Sequence, residues 1–291
     1  MSLRIVEVVG EASVQDLGRP GYAHEGVPRG GAADTLSLRL MNLVVGNVPQ
    51  AAGIELAMGL LTIEAVGPLV VATSSGPDAF EAMALEAGRR FTITPDAGLA
   101  RAYLAVAGGV DVPVVLGARA TLKSAQLGGH EGRALRIGDA LPVGAAVEPP
   151  RRVTASRRAM VGLAARQRVV RITDDGAEAR APRGLLRVAP RSDRVGVRLD
   201  VAVGSAMPQP LAHSRGVMPG TIQMPSPDEL VILGPDGPTT GGYPTVGTVI
   251  AADLPAVGQL CPGQWMSFET VSREEALRAL RAQRDGMDRL D

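Results

Sequence analysis

Aromatic side chains are almost missing from this chain: three Phe, three Tyr and one Trp in 291 residues. That scarcity removes the stacking platforms on which single-stranded nucleic-acid binders rely. Charge of one sign is missing as well. Thirty basic and thirty acidic residues cancel, so nothing in the balance asks for a nucleic acid or an anionic membrane. The one cysteine, Cys261, cannot close an intramolecular disulfide, and the expected compartment is reducing and cytoplasmic. The three histidines, His24, His130 and His213, are far apart and show no ligand spacing, so no metal site is expected. The most apolar stretch, Gly59 to Ala72, is broken by Glu64, Gly67 and Pro68. It is too short and too interrupted to span a membrane. The N-terminal residues alternate polar and apolar and lack the continuous apolar core of a signal peptide.

Lysine is reduced to a single residue, Lys123, set in Leu122-Lys123-Ser124. A covalent biotin carrier needs a lysine in a Met-Lys-Met-like turn, so no covalent biotin is expected on this chain. A Gly-x-x-x-x-Gly-Lys-Ser/Thr phosphate loop is also missing. Any ATP chemistry therefore needs another architecture or another subunit.

Glycine and proline, 36 and 22 residues, supply what the chain does have: punctuation. Between them lie short apolar runs that predict strands at Leu3–Val9, Leu60–Ala65, Leu69–Thr73, Arg90–Thr94, Ala102–Ala107, Val169–Ile172, Leu186–Val188, Leu230–Leu233, Thr245–Ile250 and Trp265–Thr270. Many short strands with frequent turn signals argue for a mainly β fold of barrels or sandwiches. Two helices are expected. One covers Thr35–Val45 behind an Asp34 N-cap, with Leu36, Leu40, Leu43 and Val44 on one face. The other covers Arg273–Arg284 behind Ser272-Arg-Glu-Glu275, a capping-box pattern, with Ala276, Leu277 and Leu280 as its apolar stripe. The Arg- and Ala-rich stretch opened by Pro149-Pro150 reads as a linker over 149–168, with a short helix at Arg157–Ala165. It divides a β-rich part over 1–148 from a second β-rich part with a terminal helix over 169–291.

The richest stretch is Gly234-Pro-Asp-Gly-Pro-Thr-Thr-Gly-Gly-Tyr-Pro244, placed between two predicted strands. A hairpin needs only about two to five loop residues, and this connection is longer. Paired glycines let a backbone approach a ligand and expose its N–H groups. Thr239, Thr240 and Tyr243 add hydroxyls beside Gly241 and Gly242. A rigid structural loop and a ligand pocket are equally good readings of these local features. A second region offers Asp16, Arg19 and Tyr22, then Arg29, Gly30-Gly31 and Asp34, from Gly/Pro-rich backbone. The paired glycines ahead of a helix can cradle an anion, Asp34 reads as a cap, and Asp16 with Arg19 serves either a loop lock or a ligand. A third, Arg119 to Arg133, gathers Arg119, Lys123, His130, Glu131 and Arg133 around Gly128-Gly129 and suits a carboxylate or phosphate. In Ser192-Asp-Arg-Val-Gly-Val-Arg-Leu199, strand alternation would set Arg194 and Arg198 on one face and Asp193 on the other. An Asp–Arg structural pair and a substrate clamp both fit that pattern.

Taken in order, these segments resemble one family. They are Val14-Gln-Asp-Leu-Gly-Arg-Pro-Gly-Tyr22, Gly26-Val-Pro28, Asn42-Leu-Val-Val-Gly-Asn47, Tyr103-Leu-Ala-Val-Ala-Gly-Gly109, Leu116-Gly-Ala-Arg119, Gly128-Gly-His-Glu-Gly-Arg133, Ser192-Asp-Arg194, Pro219-Gly-Thr-Ile-Gln223 and Thr239-Thr-Gly-Gly-Tyr-Pro244. Together they look like the KipA/PxpC family. This is the biotin-dependent carboxyltransferase A–B module, also labelled allophanate hydrolase subunit 2 or the PxpC component of 5-oxoprolinase. The likeness runs from about residue 3 to about residue 278.

The resemblance implies β-rich subdomains, one of them a cyclophilin-like barrel, and a KipI/PxpB-like partner subunit. It implies an ATP-dependent complex, joined by a PxpA-like subunit, that opens 5-oxoproline to glutamate. Its alternatives are a carboxyltransferase component taking the carboxyl group from carboxybiotin on another chain, and a regulator that binds a KipI-like kinase inhibitor. In the first reading Thr239, Thr240 and Tyr243 are catalytic, and Asp16, Arg19, Arg119, Arg133, Asp193, Arg194, Gln223, Gly241 and Gly242 bind the substrate. The chain departs from the family at Ser214-Arg-Gly216, where a Glu is common in the middle, and at Ile172-Thr-Asp-Asp-Gly176, where a Gly-Pro pair and an aromatic are usual. It departs again at Gly234-Pro-Asp-Gly-Pro238, where many members have an Asp-Arg or Asp-Gln step.

Overall fold

The computed structural model describes residues 1–75, 79–154, 168–201, 211 and 213–290. The short helix expected at Arg157–Ala165 lies outside the described residues. The chain divides into two compact units. The first comprises Met1–Arg19, Gly30–Arg157 and Leu290–Asp291, and the second Pro20–Arg29 and Arg158–Arg289. Among the described residues no helix is long and apolar enough to cross a membrane.

The first unit holds β1 (Ser2–Gln15), α1 (Thr35–Val44), β2 (Gly53–Ala65), β3 (Leu69–Thr73), β4 (Ala79–Phe80), β5 (Met83–Leu85), β6 (Arg90–Ile93), β7 (Arg101–Val106), β8 (Ala140–Pro142) and β9 (Val153–Thr154). Seven of its strands form one sheet in the order β5-β3-β7-β2-β1-β8, with β6 paired to β2. The short β4 and β9 pair separately, so Val153–Thr154 within the 149–168 stretch is strand. Strands β1 and β2 run far past the predicted Leu3–Val9 and Leu60–Ala65. Gly10 and Gly59, which read as punctuation, instead sit at a bulge where the register of these two paired strands shifts. Both have positive φ, and a Cβ on Gly10 would lie 1.8 Å from Met58 O and one on Gly59 2.2 Å from Val9 O. Only glycine admits that approach.

Strand β7 is buried on both faces, which is why it reads as one unbroken apolar run. Ala102, Leu104 and Val106 join the sheet's core, while Tyr103 and Ala105 face α1. Helix α1 begins where expected, with Asp34 Oδ1 accepting from Ser37 N at 2.9 Å. It is buried nearly all round rather than along one stripe: Leu38 and Met41 are as inaccessible as Leu36 and Leu40. The motif Asn42 to Asn47 ties its end to the sheet. Asn42 Nδ2 donates to Ala51 O (2.8 Å), and Asn47 Nδ2 donates to Asn42 Oδ1 (3.0 Å) and Val106 O (2.8 Å).

The second unit holds β10 (Arg168–Thr173), β11 (Leu186–Val188), β12 (Gly196–Asp200), β13 (Arg215–Gly216), β14 (Thr221–Ser226), β15 (Glu229–Leu233), β16 (Thr240–Gly241), β17 (Thr245–Val249), α2 (Leu254–Gly258), β18 (Trp265–Thr270) and α3 (Arg273–Asp288). Strands β10-β17-β14-β15-β12-β11-β18 close into a barrel, the barrel that the resemblance implied. Its interior is Val170, Ile172, Val188, Leu199, Ile222, Leu230, Ile232, Val246 and Met266 among others. Helix α3 carries the expected capping box, with Glu275 N donating to Ser272 Oγ (3.2 Å) and Ser272 N to Glu275 Oε2 (2.8 Å). It runs four residues past Arg284 and is seated by Met287 and by Gln283 Nε2 donating to Ala252 O (2.8 Å). Leu277, expected in its apolar stripe, points outward at 44% exposure.

Candidate functional site

The stretch from Gly234 to Pro244 connects β15 to β17, yet those strands are not partners. Both pair with β14, which lies between them. The connection must therefore cross over the end of β14, which is why it is too long for a hairpin turn. On the way, Thr240–Gly241 form β16 and pair with β13, with Arg215 opposite Gly241 and Gly216 opposite Thr240. Val217 N donates to Thr239 O (3.0 Å) and Leu211 N to Gly242 O (3.2 Å). Thr240 and Tyr243 are exposed. The hydroxyls of Thr239, Thr240 and Tyr243 have no hydrogen-bond partner among the described residues.

Beneath this arm lies Gln223, on β14 and only 4% exposed. Its Nε2 is buried and donates to no acceptor in the described residues. The amide lies against Gly241, where a Cβ would fall 2.2 Å from Nε2. Across β14 and β17, Gln223 faces Thr245, and Thr245 leads into a charged network that the sequence reading missed. Glu178 accepts from Thr245 N (2.8 Å) and Thr245 Oγ1 (2.9 Å) and pairs with Arg215 Nη1 (2.6 Å). Arg215 Nη2 also donates to Thr245 Oγ1 at 2.5 Å. The one sequence signal for this network was the unusual arginine in Ser214-Arg-Gly216. Glu178 had none, since its partners are 37 and 67 residues away in the chain.

Burial pushes the Glu178 carboxyl up, but the two Thr245 donors and the Arg215 guanidinium outweigh it and hold the group below its ordinary value of 4.5. A carboxylate depressed on folding stabilises the fold fully above its unfolded pKa, and that contribution is lost as pH falls through the folded value. Thermal unfolding between pH 6 and pH 3 is expected to show a steeper acid loss of Tm for the wild type than for Glu178→Gln, the advantage of the wild type shrinking as pH falls below ~4.5. Parallel curves would mean that Glu178 gains nothing from its partners.

The Arg194 guanidinium forms a bidentate pair with Asp236 at the start of the arm, Nε to Oδ2 and Nη2 to Oδ1, both at 2.8 Å. Both side chains are 6% exposed. Arg194 lies in the turn ahead of β12, so it does not share a strand face with Arg198, which pairs with Glu229 instead (2.8 Å). Asp193 Oδ1 accepts from Val195 N and Gly196 N and shapes that turn. The expected alternation fails because the strand starts only at Gly196.

In the first unit the other predicted residues meet in pairs. Asp16 Oδ1 accepts from Gly18 N (2.7 Å) and its Oδ2 from Arg119 N (2.5 Å), across 103 positions of sequence. Arg19, 1% exposed, donates to Ala120 O and lies against Gly128. The Arg119 side chain donates to Val112 O (2.9 Å) and Asp111 (2.7 Å). Arg133 pairs with Asp139 (2.7 and 2.9 Å) and Glu131, and the Asp139 hydrogen bond raises its pKa further. The anion cradle read at Gly30-Gly31 is filled by protein. Ala32 N donates to Asp16 O, Ala33 N to Glu55 Oε2 and Asp34 N to Tyr103 Oη. Burial, and after it the nearby Glu55 and Asp34 carboxylates, raise the Tyr103 pKa well above 10.0, so the phenol stays protonated and donates to Glu55 (2.7 Å). Among the described residues no three His, Cys, Asp or Glu side chains are grouped to share a metal ion.

Comparison with known proteins matches these features to one family. The family model for the carboxyltransferase domain, subdomain A and B, covers residues 25–270. The chain is 33% identical to a 5-oxoprolinase subunit of Escherichia coli (strain K12), over 99% of this chain and 97% of that one. It is 30% identical to the urea amidolyase of Lachancea kluyveri, over 96% of this chain but 17% of that protein. The crystal structure of K. lactis urea amidolyase matches with a TM-score of 0.86 and 27% identity, over all of this chain and 20% of that one. The chain therefore belongs to the carboxyltransferase domain, subdomain A and B, family.

Proposed function

We propose that this protein is a subunit of an ATP-dependent 5-oxoprolinase-type complex, and that its Thr239–Tyr243 arm binds and polarises the lactam carbonyl. One observation carries the chemistry: the buried Gln223 Nε2, directly behind Gly241, has hydrogens to donate and no acceptor among the described residues. An unmet buried donor costs free energy, and an oxygen acceptor on a ligand would relieve it. Opening a lactam by water develops negative charge on the carbonyl oxygen, and preorganised N–H and O–H donors stabilise that charge. Thr239, Thr240 and Tyr243 supply hydroxyls in the same segment as Gly241.

The choice of 5-oxoproline rests on the Escherichia coli relative, which the chain matches over nearly its whole length. In this reading ATP is consumed at the level of the complex, with a KipI/PxpB-like and a PxpA-like chain. The likeness to K. lactis urea amidolyase favours a second reading, carboxyl transfer from carboxybiotin on another chain to a urea-type acceptor. The same donors serve that reaction, since it too places charge on an amide-like oxygen.

The test is co-expression with the two companion chains, followed by ATP-dependent conversion of 5-oxoproline to glutamate. Gln223→Leu keeps the bulk and removes the donor, and is expected to lower kcat by about 10²-fold. A well-assembled complex with no turnover ends the first reading, and full turnover in Gln223→Leu ends the role of the arm.

A further inference from the structure

The outer wall of the barrel carries a patch that water alone does not explain. Along β18, Met266 and Phe268 turn into the barrel core, so Trp265, Ser267 and Glu269 face out. The register sets Ser267 beside Val169 of β10 and Trp265 beside Arg187 of β11. Leu186 pairs with Met266 and faces in, so Leu185, one step earlier on the antiparallel strand, comes out next to Ser267. Val169, Leu185 and Trp265 thus surround one small serine, at 50%, 47% and 52% exposure. Outward positions of a solvated barrel are expected to be polar. Here two adjacent rows hold two large aliphatics and the only tryptophan of the chain.

The charges at the edge of this patch say what covers it. Arg171, Arg191, Arg194, Arg198 and Arg215 of the same unit each pair with a carboxylate. Arg187, paired across from Trp265, is exposed and has no ion-pair partner among the described residues. Apolar anchors, a tryptophan and an unpaired arginine are the composition of a protein–protein contact centre. The complement is a protein surface with an apolar pocket and carboxylates at its rim.

We infer that the face bearing Val169, Leu185, Trp265 and Arg187 docks a companion subunit with such an acidic, apolar-pocketed surface. The inference rests on the subunit reading above. Its test uses the sole tryptophan. The chain labelled with 5-fluorotryptophan has one fluorine resonance, from Trp265, and is titrated with the purified KipI/PxpB-like chain while calorimetry gives Kd. The resonance is expected to shift on binding. Trp265→Ser is expected to raise Kd by about 30-fold or more and Arg187→Glu by about 10-fold, with Arg187→Lys close to the wild type. Circular dichroism and Tm of each variant check that the barrel still folds, and Leu185→Ser gives a second, smaller truncation. Binding with an unchanged resonance and unchanged Kd in Trp265→Ser overturns the docking face and leaves the subunit reading intact. No binding at all overturns both. A resonance that moves with the concentration of the labelled chain alone makes the face a contact between copies, and overturns the companion.

Discussion

Gly241→Ala is expected to abolish most turnover of the assembled complex, by about 10² to 10³-fold, the loss typical of removing a preorganised donor. The added Cβ would stand 2.2 Å from Gln223 Nε2 and 3.2 Å from Cδ. Real Cβ contacts do not come that close, so the carboxamide must move. It has little room, because Gln223 is 4% exposed and held in β14 between β15 and β17. Overpacking of this kind costs about 1–3 kcal/mol of stability, so the barrel should still fold. The double variant Gly241→Ala with Gln223→Ala separates the two effects. Taking away the carboxamide removes the clash and should return the lost stability, measured by urea unfolding, while turnover stays low. Recovery of turnover in the double variant would show that Gln223 only fills space.

Arg194→Met is expected to cost the barrel about 3–5 kcal/mol, since it leaves the Asp236 carboxylate buried without its bidentate partner. Arg194 also holds the arm through its carbonyl, which accepts from Asp236 N at 3.1 Å. That backbone contact survives the substitution. The loss should therefore come from the stranded charge rather than from unravelling of the turn. Arg194→Met with Asp236→Leu removes both charges, and replacing a buried pair by apolar groups is often neutral or stabilising. Urea unfolding of the two single variants and the double variant gives the coupling. Additive losses would mean that the pair acts as two independent groups, and that the arm is anchored elsewhere. The pair matters to function because Asp236 opens the segment that carries Thr239 to Tyr243.

The local elements were legible because their causes are local. Asp34 and the Ser272–Glu275 box start their helices by bonding N–H groups three residues away. Strands such as Leu69–Thr73, Leu186–Val188 and Trp265–Thr270 show their limits in the residues that flank them. Strands β1 and β2 were cut short for a physical reason as well. A glycine that ends a strand and a glycine that forms a bulge between two paired strands are the same letter, and only Met58 O and Val9 O, close against Gly10 and Gly59, tell them apart.

The site was legible as a set of residues and not as an arrangement. The hydroxyls and glycines of 239–243 and Gln223 could be picked out from composition and resemblance. That Gln223 Nε2 lies under Gly241 with no acceptor among the described residues follows from β14 running between β15 and β17, and no spacing in the chain encodes it. The arginines show the limit most clearly. Arg119, Arg133 and Arg194 read equally as ligand groups or structural partners, because an isolated guanidinium has the same chemistry in both roles. Their acceptors Asp111, Asp139 and Asp236 became known only with the fold. By itself the sequence determined a mainly β chain with two capped helices, a net charge of zero and the resemblance to one family, because those properties are sums over residues or contacts between near neighbours. The tertiary structure alone decided which polar groups are already satisfied and which still want a partner, because that depends on burial and on acceptors that can lie more than a hundred residues away.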